Sequence, residues 1–308
     1  MVDLFGKRVA LVTGKGGVGR TTLSAAMAVA AARTGKRVLL TEIGDPEGDY
    51  TPLARLFGRD TLPADPENLA PGIDGCVLWP RRGHEAFFHT VIPVKAAVRA
   101  AMNSGALRKL LDTAPSFREM GIFYHCYTLL EMERSPGQPR YDVLIVDMPA
   151  SGHTLGLTGL PERLLALMPT GPIAEAMHRG RPYFTDPALC SAWIVTLPEV
   201  LPITESLELI EGLEGHDTPV GGILVNRVLE DPFTAEERAA LEPVLTDDHY
   251  GHERFVGVVA ATKALADLRA RTEVHTVDVP ELPNTGFDLI ESLAAALVEA
   301  DQHAKGAQ

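Results

Sequence analysis

The stretch VALVTGKGGVGRTTLSAA, residues 9–26, constrains this chain more than any other. A β-branched run ends at a turn holding Gly14, Gly16, Gly17 and Gly19, and an alanine-rich run follows at once. Glycines so placed let successive backbone N–H groups converge on one anion, and a helix starting there adds its positive end. Strand, loop and helix in that order predict a sheet whose strands are joined by helical crossovers.

The rest of the chain continues in kind. KRVALVT (7–13), KRVLLTE (36–42), GCVLW (75–79), DVLIVD (142–147), AWIVTL (192–197), GGILVN (221–226), FVGVVA (255–260) and EVHTVDV (273–279) read as strands. They are apolar throughout rather than alternating, which suits a parallel sheet covered on both faces. TTLSAAMAVAAARTG (21–35) reads as a helix stopped by Gly35. Residues 286–308 read as an acidic closing helix with a frayed end. Residues 81–140 offer no convincing strand and read as a helical subdomain inserted in a single domain spanning 1–308. Pro136, Gly137 and Pro139 mark the return to the sheet.

Composition narrows the partners. The formal charge of −13 lacks the positive field that nonspecific nucleic-acid binding needs. Cys76, Cys126 and Cys190 are widely spaced, with no C-x-x-C from which to build a zinc clasp. The start, MVDLFGKRVALVTG, lacks the pattern of a signal peptide, and no apolar window is long enough to span a bilayer. A cytoplasmic setting is expected. DDHYGHE (247–253) brings His249 and His252 near acids, but its glycine marks a solvated turn rather than a metal site.

Gly14-Lys15-Gly16-Gly17-Val18-Gly19-Arg20-Thr21 follows the phosphate-loop pattern G-x-x-x-x-G-K-[ST], except that Arg20 stands where the lysine belongs. Arginine keeps the charge but is larger and planar, so nucleotide binding is better supported than hydrolysis. The Thr21 hydroxyl is the expected magnesium ligand. The loop also calls for a carboxylate closing another strand, and Asp147 in YDVLIVDMPASGHTL supplies it.

Together, GKGGVGRTT and DMPASGHTLGLTGLPERL resemble the deviant Walker A loop and switch II segment of a known group of ATPases. That group includes MinD, ParA, NifH and ArsA. The resemblance is to its ArsA branch, which holds the arsenite-translocating ATPase and the eukaryotic ATPase delivering tail-anchored membrane proteins. GGILVNRVL resembles the strand whose asparagine recognises adenine, here Asn226. VDVPELP resembles the loop on the other side of that base, near Pro280.

The resemblance implies a P-loop NTPase fold, a doubly wound, mostly parallel sheet with an inserted helical subdomain. It also implies ATP with Mg2+, held by Gly14, Lys15, Gly16, Gly17, Val18, Gly19, Arg20, Thr21 and Thr22, with Thr21 and Asp147 on the metal. Members are dimers in which the extra lysine reaches the partner's phosphates, a role that falls to Lys15. Asp45, in LLTEIGDPEGDY, is the expected water-positioning residue of switch I, with Glu42 in reserve. Lys15, Arg20 and Asp45 are thus the expected catalytic set, and His153 is a candidate γ-phosphate sensor. The assembly is expected to be a homodimer, or a heterodimer with a related ATPase. Either a slow, dimeric ATPase switch or a non-hydrolysing scaffold fits. Phe87, Phe88, Val91, Ile92, Leu110, Leu111, Phe117, Met120, Ile122, Phe123 and Leu129 either form a surface for a protein client or pack into a core or dimer interface. Contact with membranes would then come only through the client.

Overall fold

An eight-stranded sheet forms the centre of the protein in the computed structural model, which describes residues 4–306 apart from 49, 114, 115, 247 and 248. In chain order its first half comprises β1 (Val9–Gly14), α1 (Arg20–Arg33), β2 (Val38–Ile43), α2 (Pro52–Leu56), β3 (Glu67–Ala70) and β4 (Ile73–Leu78). A helical excursion follows: α3 (Pro80–Val91), α4 (Lys95–Met102), α5 (Gly105–Thr113) and α6 (Phe117–Leu130). A short hairpin of β5 (Glu133–Ser135) and β6 (Gln138–Pro139) leads back to β7 (Val143–Asp147). Then come α7 (Ser151–Thr158), α8 (Leu160–Leu167), α9 (Pro172–Gly180), α10 (Pro182–Thr185), β8 (Cys190–Thr196), α11 (Val200–Glu214) and β9 (Val220–Val228). The chain closes with α12 (Ala235–Leu241), α13 (His252–Arg271), β10 (Thr276–Pro280) and α14 (Gly286–Gly306).

The strand order is β10-β9-β8-β1-β7-β2-β4-β3, and every pairing is parallel except that of β3 with β4. This is the doubly wound, mostly parallel sheet of a P-loop NTPase. From β1 the chain crosses over β7 to β2, whereas β8 lies on the other side of β1. Such a switch point opens a crevice at the carboxyl ends of the strands, where ligands of open α/β sheets bind.

Each face of the sheet has its own core. On one, α1 and α14 pack Leu23, Met27, Ile290, Leu293 and Leu297 against Ala10, Val12, Val38 and Ile145. The alanines of α1 let it be buried between sheet and α14 together, because their side chains keep neither neighbour at a distance. On the other face, Phe123, Met177, Ile203, Leu213 and Leu268 cover Leu11, Leu144, Val146 and Ile194. Among the described residues no helix is long and apolar enough to cross a membrane.

Two readings of the sequence need correction. FVGVVA is not a strand but part of α13. Its buried residues Phe255, Val258, Ala261, Ala264, Leu265 and Leu268 follow a helical period, which a six-residue window of β-branched residues hides. The 81–140 region does contain strand, the β5–β6 hairpin, which turns at Gly137 with φ +74°.

Most of the apolar residues suspected of meeting a client are interior. Phe87, Leu111, Met120, Ile122, Phe123 and Leu129 are buried, whereas Leu110 is half exposed at 53%. Phe123 stacks on Phe184 with ring centroids 5.0 Å apart, fastening α6 to the domain beneath it. Helices α3 and α6 meet at Gly83 and Gly121, where a Cβ on Gly83 would stand 1.7 Å from the Gly121 carbonyl oxygen.

Candidate nucleotide site

The glycine loop is built as its sequence demands. Gly14, Gly17 and Gly19 take φ of +149°, +85° and +96°, conformations that L side chains rarely adopt. At Gly14 a Cβ would also fall 2.2 Å from the Val195 carbonyl oxygen, so β8 closes the loop from one side. Lys15, Gly16 and Gly17 are exposed, Val18 is buried beneath them, and α1 starts at Arg20 immediately after the left-handed Gly19. The loop thus presents free backbone N–H groups at a helix N-terminus, a cradle suited to phosphate.

Asp147 stands beside it at the end of β7, in register with Val12 of β1 and Glu42 of β2. Its carboxylate accepts hydrogen bonds from Thr21 at 2.6 Å and from Ser24 at 3.4 Å. Burial nevertheless raises its pKa, outweighing the Thr21 and Ser24 hydrogen bonds and the nearby Arg20 charge. A buried carboxylate short of positive charge, with a hydroxyl at 2.6 Å, is the donor set a magnesium ion needs from a protein when phosphates and water complete its shell. The residues present therefore fit the metal.

Arg20 does not stand out over the loop. Its guanidinium donates to the Met148 carbonyl at 2.6 Å, so the first residue of α1 holds the backbone directly after Asp147. Burial lowers its pKa and the Asp147 charge opposes that shift, but the group stays cationic. Lys15 is exposed and forms an ion pair with Glu205 on α11. Thr22 is half-buried in the first turn of α1.

Asn226 lies against the loop itself. Its amide nitrogen donates to the Val18 carbonyl at 2.8 Å, and its oxygen accepts from the Arg227 N–H at 3.0 Å. A Cβ on Gly19 would meet that amide at 2.3 Å. Pro280 is exposed at the end of the edge strand β10, paired in register with Val228.

The two switch I candidates separate. Asp45 is exposed in the loop after β2, where its carboxylate accepts from the Glu47 N–H at 2.9 Å. Glu42, the reserve, is buried beside Asp147. One of its oxygens accepts from the Leu53 N–H at 3.3 Å and the other has no hydrogen-bond partner among the described residues. Desolvation raises the Glu42 pKa to about 7, with the Asp147 charge adding to the effect and the bonds to Leu53 and Thr51 opposing it. The His153 side chain lies outside the described residues. Sequence reasoning missed Ser24, Glu205 and the 2.9 Å bond between the hydroxyls of Thr13 and Thr154, which joins the end of β1 to α7. Threonines immediately before the loop and within GHTL were the available signal.

The Glu42 shift has a measurable consequence. A carboxyl whose folded pKa lies above the unfolded value favours folding while protonated, so stability falls as pH rises from 4.5 to about 7. The loss amounts to roughly 3 kcal/mol across that window. Glu42→Gln is expected to flatten that fall in denaturant titrations of the metal-free protein. An unchanged slope between pH 5 and 8 would show that Glu42 titrates normally.

Fold and cradle together define a P-loop protein with a site shaped for phosphate. Residues 7–179 match the model of the family described as anion-transporting ATPase, and the chain belongs to that family. Among curated proteins it is similar to ATPase BagA of Mycobacterium tuberculosis, 29% identical over 73% of this chain and 66% of the relative. It is also similar to ATPase GET3 of Zygosaccharomyces rouxii, 24% identical over 71% of each chain. A putative arsenical pump-driving ATPase of Prosthecochloris vibrioformis is 29% identical over 51% of this chain and 36% of its own. The match thus spans slightly under two-thirds of the mycobacterial relative's length.

Proposed function

We propose that this protein is a magnesium-dependent ATPase that works as a slow dimeric switch. The observation that supports this most is the pair of ties between the phosphate cradle and the switch II segment. Thr21 holds the Asp147 side chain, and Arg20 holds the backbone one residue further on. A γ-phosphate arriving at the loop competes for both, so nucleotide binding and the position of α7 are linked.

The roles follow from the chemistry of each group. Backbone N–H groups from Gly14 to Thr22 bind the phosphates, and Arg20 turns part of its donor fork toward them. Magnesium, held by Thr21 and by Asp147 directly or through water, would neutralise phosphate charge. Asn226 and Pro280 flank the base; in that role the Asn226 amide exchanges its bond to Val18 for the adenine edge. Lys15 leaves Glu205 to reach the phosphates of a second subunit, which gives closure an electrostatic reward. Either Asp45 or Glu42 orients the attacking water. The buried oxygen of Glu42, without a hydrogen-bond partner among the described residues, favours Glu42, provided that bound magnesium keeps it ionised. The closed dimer then acts on a protein client or partner through the helical subdomain.

Phosphate release by the purified protein tests this reading. Turnover is expected to be measurable, to fall at least about tenfold in Lys15→Ala, and to rise in Arg20→Lys, which restores a compact ammonium to the loop. Tight ATP binding with background turnover in all three proteins would instead mark a non-hydrolysing scaffold.

A further inference from the structure

The geometry points to a binding pocket for a small anionic amphiphile between the switch I loop and the helical subdomain. A cleft of about 340 Å³ opens there, within the size range of small-molecule sites. Its apolar lining comes from Trp79, Met102, Leu107 and Leu111. Arg81, Arg108 and Arg118 also line it, together with His84 and with Gly44, Asp45 and Glu47 of the loop after β2.

The arginines are the unusual part. In a chain with 41 acidic and 28 basic residues, a guanidinium finds a carboxylate easily. The adjacent Arg82 does so twice, with Asp65 at 2.9 Å and Glu85 at 3.4 Å. Among the described residues, none of Arg81, Arg108 and Arg118 forms an ion pair or a side-chain hydrogen bond, and Arg81 instead lies over the Trp79 ring at 5.6 Å. Asp45 and Glu47 line the same space without coming within ion-pairing distance of them. Three guanidinium groups with no ion pair among the described residues, beside the apolar side chains of a half-polar pocket, suit a ligand with an anionic head and an apolar body.

The pocket is not the nucleotide site. No residue of the glycine loop lines it, nor does Asp147. Trp79 follows β4, which is three strands from β1 in the sheet, or about 14 Å at the usual strand spacing. The volume equals roughly eleven water volumes of about 30 Å³, room enough for a medium-chain carboxylate. With Gly44, Asp45 and Glu47 in its lining, an occupant would also restrain the Asp45 loop. That consequence rests on the proposed ATPase activity, whereas binding itself does not.

Decanoate, titrated below its micelle concentration into the whole chain without nucleotide, provides the test, read by calorimetry and tryptophan emission. The chain has two tryptophans, and Trp193 is buried in β8, so a change of emission that disappears in Trp79→Phe reports this pocket. Saturable binding below about 1 mM is expected, as befits a ligand of this size. It should weaken at least about tenfold in Arg108→Glu/Arg118→Glu, as should binding of decyltrimethylammonium to the native protein. Both arginines are exposed, and thermal melting checks that the double variant folds. Absence of saturation, equal affinity for the cationic probe, or unchanged affinity in the double variant would each overturn the assignment. A shift of ATP turnover by decanoate extends it to switch I. A protein that binds decanoate yet never hydrolyses ATP would remove the proposed ATPase and leave the pocket standing.

Discussion

Gly83→Val is expected to lower stability by about 3 kcal/mol or more, the upper end for overpacking. The added Cβ would meet the Gly121 carbonyl oxygen at 1.7 Å, its carbon at 2.7 Å and the His125 nitrogen at 2.8 Å. All three are backbone atoms, so no rotamer change relieves the clash and α3 must lift off α6. Lifting α3 pulls Phe87 from the edge-on packing with Tyr124 that joins the two helices. It also strains the 3.0 Å bond from the Trp79 N–H to His125, at the entrance to α3. For a chain of this size a melting temperature about 6 °C lower or more follows, measured by circular dichroism. Gly105→Ala is the matched control. Nothing lies within 4 Å of its new Cβ, and the residue opens α5, so a neutral or slightly stabilising change is expected. Equal melting of both variants would show that the crossing yields easily.

Asp147→Asn should separate metal chemistry from stability. The substitution preserves shape and leaves an oxygen to accept from Thr21, but removes a charge that burial disfavours. The metal-free protein is therefore expected to melt no lower than the native one at neutral pH. Magnesium-dependent ATP turnover, in contrast, should fall about a hundredfold or more, and magnesium should cease to strengthen nucleotide binding. Nucleotide titration with and without magnesium, beside a melting curve, measures both. A large loss of stability with magnesium dependence intact would make Asp147 a structural residue.

The parts of the site legible in the sequence are those where one residue type answers one local demand. Gly14, Gly17 and Gly19 are legible because an anion-wrapping loop needs backbone angles that L side chains rarely adopt, and Asp147 because a phosphate loop calls for a carboxylate closing another strand. What escaped depends on partners far apart in the chain. Glu42 and Asp147 become neighbours only through the pairing of β2 with β7, so the sequence offers Asp45 first and Glu42 in reserve without showing how differently the two are placed. Glu205 lies 190 residues from Lys15, and nothing local marks it. FVGVVA failed for the opposite reason. Its local β preference was real, but the helical burial pattern that overrides it extends over the twenty residues of α13.

The Arg20–Met148 bond carries an obligation that runs in both directions. If nucleotide binding displaces that arginine and so frees switch II, linkage requires that holding switch II in place changes nucleotide affinity by the same factor. A partner that clamps α7 without touching the loop would therefore be felt as a change in how tightly ATP is held. A lysine at position 20, too short to clasp the Met148 carbonyl while serving the phosphates, would quicken the site and deafen it to such a partner.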